Sequence, residues 1–183
     1  MNINVRTATQ QICRLELPKI EMSAKAFLRE IQEKLVAKGS DRLKKIPFSE
    51  MLYGYGWNDE KTVRLGTPTE FGYQSDVYPW AARKIAEENG LESCDSLVPV
   101  KIALQWETVK RQLPEQYTSV EWFVHMFKID NCMTGEMFVP GMGTPNAFFT
   151  MNPLSHCVLS VEWVYEGRRS GIAKDQPILF QCK

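Results

Sequence analysis

The sequence predicts an α+β fold, with a mostly antiparallel sheet in the C-terminal half packed against two main helices from the N-terminal half. Three observations predict it. Ala24–Lys38 has apolar residues at helical spacing behind a capping serine. Gln116–Ile129 (QYTSVEWFVHMFKI) is dense in aromatic and β-branched residues, the composition of a strand buried on both faces. Two shorter runs of similar character, Val158–Glu166 and Pro177–Cys182, follow it. Helices and strands segregate along the chain rather than alternate, which separates α+β from α/β.

At 183 residues the chain fits a single domain spanning 1–183. It is 44% hydrophobic and 24% charged, and its 22 basic and 22 acidic residues cancel. That balance provides no global field towards nucleic acid or an anionic membrane. No apolar run is long enough for a bilayer, so no membrane partner is expected, and the first 19 residues contain no secretory h-region. The five cysteines are widely spaced and odd in number, which suits reduced thiols in the cytoplasm.

Taken in order, Ile12–Met22 alternates Leu15 and Leu17 with Arg14 and Glu16, and reads as a short strand ended by Pro18. Ser23 caps the helix Ala24–Lys38, with Phe27, Leu28, Ile31 and Leu35 on one face and Gly39 as its stop. Phe48–Tyr78 is an irregular, aromatic-rich segment in which only Thr62–Leu65 resembles a strand and Thr67–Glu70 has the form of a capping box. A second helix opens at Asp76 or Val77, with Pro79 in its first turn, and closes at Gly90. Residues 98–111 fit both periods. Val98, Val100, Ile102, Leu104 and Trp106 alternate, while Ile102, Trp106, Val109 and Leu113 share a helical face. Their β-branched content selects the strand. Asp130–Pro153 reads as a long loop rich in Met and Phe.

No motif carries a defined chemistry. The glycine pairs at 54–56 and 141–143 lack the third glycine of a dinucleotide fingerprint, and there is no phosphate loop, nucleophile elbow, zinc-helix or calcium-loop pattern. Two histidines and scattered cysteines supply too few ligands for a metal site, and no cofactor is expected.

Three function classes remain. The first is a non-catalytic accessory or inhibitor-type protein that binds another protein, or itself, through Met137, Phe138 and Met142 together with Tyr53, Tyr55 and Trp57. Methionine adapts to partners and aromatic rings anchor them. The opposing reading is that these side chains fold back into the core. The second class is an enzyme. The tetrapeptide SVEW occurs at 119–122 and 160–163, so Glu121 and Glu162 would share a sheet face with His125 if the two strands paired. Two carboxylates and an imidazole can divide acid and base roles. The structural alternative puts the glutamates on a solvated face. The third class, and the less favoured partner, is nucleic acid. Residues 25–45 hold seven basic and three acidic residues, with Lys34, Lys38, Arg42 and Lys45 as the contacts. A solvated helix face is the favoured reading of them, since Lys25 and Arg29 fall away from Lys34 and Lys38 on the helical wheel and the charge forms no single stripe.

Overall fold

The computed structural model describes residues 12–52, 56–78, 81–124, 146–154, 158–164 and 171–183. It has the predicted α+β character. Seven strands form one sheet: β1 (Cys13–Leu17), β2 (Lys61–Gly66), β3 (Leu91–Glu92), β4 (Trp122–Val124), β5 (Asn146–Met151), β6 (Leu159–Val164) and β7 (Ile178–Cys182). The order is β1-β2-β7-β4-β5-β6, with the short β3 continuing along β7 beyond the end of β4. Every pairing is antiparallel except β4 on β7.

β1 forms because its alternation has one face to bury: Cys13, Leu15 and Leu17 are buried, while Arg14 and Glu16 are exposed. α1 (Ala24–Ile31) starts where Ser23 Oγ accepts from the Ala26 N–H. It continues into a π-helical turn over Gln32–Val36, where the Ala37 N–H reaches back to the Gln32 carbonyl. That wider turn sets the consecutive residues Leu35 and Val36 both into the core. Gly39 ends it through space rather than handedness. A Cβ there would lie 2.6 Å from Leu43 Cδ2 and 2.8 Å from the Leu35 carbonyl oxygen. Two short helices follow, α2 (Asp41–Lys44), capped by Ser40, and α3 (Phe48–Met51).

Residues 98–111 are helical, not a strand. They form α5 (Val98–Leu104) and α6 (Trp106–Lys110), with Pro99 in the first turn of α5. The strand expectation failed because five consecutive residues, Val98–Ile102, are buried. A segment enclosed on all sides has no polar face, so its alternating residues mimic a strand's period. The helix expected from residue 76 begins later, as α4 (Ala82–Glu88), because Val77 forms a bridge with Ile172. Gly90 closes it at φ 66.

The strand of the aromatic run begins later than expected. Glu115–Tyr117 is a turn of 3-10 helix, and the described strand is only Trp122–Val124, though all three residues are buried and central. The predicted loop 130–153 contains β5 in its last part, with Phe149 and Met151 fully buried. For those two side chains the core reading holds.

The sheet separates two cores. On one face, Leu15, Val63, Leu179, Trp122, Val124 and Phe149 pack with side chains of α1, α2, α3, α5 and α6. On the other, Phe123, Ile178 and Phe180 pack with Ala82, Ile85 and Ala86 of α4. Among the described residues, no helix is long and apolar enough to cross a membrane.

Candidate functional site

The register defines two ends of the sheet. β7 finishes at Cys182, and at that same end β1 finishes at Leu17 and β2 begins at Lys61. β4 runs towards that end, its last described residue Val124 level with Leu179, and β5 runs away from it, its first described residue being Asn146. The chain therefore enters β2 at the end towards which β4 runs and from which β5 returns.

A polar cluster that the sequence reading missed lies there. Lys101, in α5, is only 1% exposed, and its Nζ donates to the backbone carbonyl of Asp59. Burial, and then the neighbouring Lys61 ammonium, push its pKa from the ordinary 10.5 down to about 8, against the pull of Asp59 and Asp95. Lys61 is held by Asp95 at 2.8 Å. One signal pointed to Lys101: it is the sole charge in the apolar run Leu97–Leu104. An amine at that pKa has a usable neutral fraction near pH 7, but a nucleophile or base also needs access to substrate. With its nitrogen covered and directed at a carbonyl, Lys101 clamps α5 to the chain just before β2.

A second network spans the opposite half. Glu70 Oε2 accepts from the Thr67 N–H at 2.6 Å and from Thr67 Oγ1 at 3.0 Å, while the Glu70 N–H donates to Thr67 Oγ1 at 3.2 Å. This is the reciprocal capping box read from the sequence. The same Oε2 accepts the Tyr117 hydroxyl at 2.6 Å. Burial, followed by the Glu70 carboxylate, raises the Tyr117 pKa.

The residues expected to act are distributed as follows. Trp57 is half-buried and stacks on Phe27, with ring centroids 5.0 Å apart at 25°, so one face of the indole is already used. Tyr53, Tyr55, His125, Met137, Phe138 and Met142 lie outside the described residues. Glu121 is half-buried just before β4. The pairing that would have brought it to Glu162 is replaced by another: β5 stands between β4 and β6. Trp122 aligns through Met151 with Leu159, so Glu121 and Glu162 sit on backbone positions two strands apart, about 10 Å, and four rows apart, roughly 13 Å. Lys34, Lys38, Arg42 and Lys45 are all exposed, and Lys34 is paired with Glu30. Among the described residues, no group of three or more His, Cys, Asp or Glu side chains could hold a metal ion.

No family model matches the sequence, and no curated protein or solved structure matches it.

Proposed function

We propose that the chain is a non-catalytic accessory or inhibitor-type protein that binds another protein through its aromatic and Met-rich segments. The supporting observation is that the chain enters β2 at the end of the sheet towards which β4 runs and from which β5 returns. The chain before β2 contains Tyr53, Tyr55 and Trp57, and the chain between β4 and β5 contains Met137, Phe138 and Met142. Adaptable apolar side chains in these two connections suit a single contact surface. The separation of Glu121 from Glu162 by β5 weighs against the acid/base alternative.

The test is an affinity pull-down from cell lysate at low and moderate salt. The wild-type chain is compared with a variant carrying Met137→Ser, Phe138→Ser and Met142→Ser. The reading expects a stoichiometric protein retained by the wild type and lost by the variant, with the variant's circular dichroism unchanged. A variant that fails to fold assigns the three side chains to the core instead.

A further inference from the structure

β1 is the terminal strand of the sheet order, paired with β2 on one side. An unprotected strand edge is a template for another chain. Here two glutamines occupy it. The Glu16 N–H donates to Gln112 Oε1 at 2.9 Å, and Gln112 Nε2 donates to the Glu16 carbonyl at 3.0 Å. A hydrogen-bonded residue pair in an antiparallel ladder exchanges the same two bonds. The Gln112 carboxamide therefore imitates one rung of a neighbouring strand. Two residues further on, Gln105 Nε2 donates to the Pro18 carbonyl at 3.3 Å. Both glutamines come from the α5–α6 segment, which flanks the edge.

The covered edge is self-complementary. Alternation makes Arg14 the next residue whose backbone N–H and carbonyl point outward with those of Glu16. If two copies of β1 join antiparallel about a two-fold axis at Leu15, each outward rung sets Arg14 against Glu16 of the partner subunit. The two rungs thus carry two opposite-charge pairs, both on the exposed face of β1, while Leu15 meets its own copy on the buried face. In the single chain, Arg14 Nε instead lies 2.5 Å from Glu16 Oε1 on the same strand.

We propose that Gln112 is a latch over a self-complementary edge strand, and that its release lets a second copy of this chain pair β1 with β1. This surface is distinct from the apolar contact surface proposed above. The two readings stand or fall separately, because the latch is tested with purified protein alone.

The test is sedimentation across a concentration series. Gln112→Ala removes both latch bonds, and because both copies must open, its dimer dissociation constant should fall by at least about tenfold relative to wild type. Adding Arg14→Glu sets like charges on both rungs and should return the protein to monomer. Adding Glu16→Arg to that variant restores opposite charges and should restore the dimer. Should Gln112→Ala misfold, Gln112→Glu keeps the acceptor and loses the donor, and carries the same comparison. The proposal is overturned if the latch variant sediments as the wild type does, or if its association is indifferent to charge reversal at Arg14.

Discussion

Tyr117 donates its hydroxyl to the oxygen of Glu70 that also closes the capping box on Thr67, so one carboxylate oxygen joins the turn after β2 to the turn before β4. Tyr117 is itself only 2% exposed, and its carbonyl accepts the Trp122 indole N–H at 2.9 Å. Local capping and the central strand are thereby coupled.

Removing the two ends of that bond should have unequal effects. Tyr117→Phe deletes one hydrogen bond to a charged group and should cost about 1.5–3 kcal/mol. Glu70→Ala should cost more, because it also leaves the buried Tyr117 hydroxyl and the Thr67 N–H unpartnered. Urea unfolding of the two single variants and the double variant gives the coupling. Additive losses would mean the bond contributes nothing to stability.

Lys101 should give stability a distinctive pH dependence. Its amine is depressed to about 8 in the fold and returns to 10.5 on unfolding. Below pH 8 both states carry the proton. Between 8 and 10.5 only the unfolded state does, so the unfolded chain binds more protons and stability rises with pH. The gain approaches about 3 kcal/mol across that window. Cys13, Cys94 and Tyr117 act in the opposite sense, since burial raises each of them and the unfolded chain loses those protons first. Subtracting the curve of Lys101→Met from that of the wild type cancels these shared contributions. The difference should climb above pH 8, and a flat difference would contradict the clamp.

Gly39 and Gly90 should respond oppositely to asparagine. At Gly39 the constraint is space, so Gly39→Ala should cost about 1–3 kcal/mol and the larger Gly39→Asn more. At Gly90 the constraint is the positive φ, since a Cβ added there would meet nothing within 4 Å. Gly90→Ala should cost about 1 kcal/mol, and Gly90→Asn less, since asparagine tolerates that conformation. Thermal melts of the four variants separate the two causes.

Elements with one buried and one solvated face were legible in the sequence. β1 was readable because Arg14 and Glu16 interrupt its apolar residues, and α1 because Ser23 marks its start. Elements enclosed on both sides were legible only where composition singled them out, as in β4 and β7, and not in Val98–Ile102 or β5. In Val98–Ile102 the one polar residue, Lys101, is itself buried, so no solvated position marks whether the period is 3.6 or 2. β5 was hidden for a related reason: its membership in the sheet depends on β4 and β6 lying on either side of it, which is not a property of Asn146–Met151 alone. The Lys101 cluster assembles residues 59, 61, 95 and 101 from separate segments. Only the isolated charge of Lys101 hinted at it. The Glu121–Glu162 reading assumed that β4 lies beside β6, and strand order, which puts β5 between them, is set by tertiary pairing.

β7 joins β2 on one side to β4 on the other, with Leu179 aligned to both Leu65 and Val124. Within the sheet, among the described residues, the β1–β2 ribbon and the β4–β5–β6 block are therefore joined by residues 178–182. During synthesis both pieces emerge before the strand that unites them. The ribbon must wait over more than a hundred residues for its partner, a closure that contact order makes slow. The joining step awaits residues 178–182, and a nascent chain stalled before Ile178 would carry two half-sheets not yet joined, exposed strand edges that chaperones recognise.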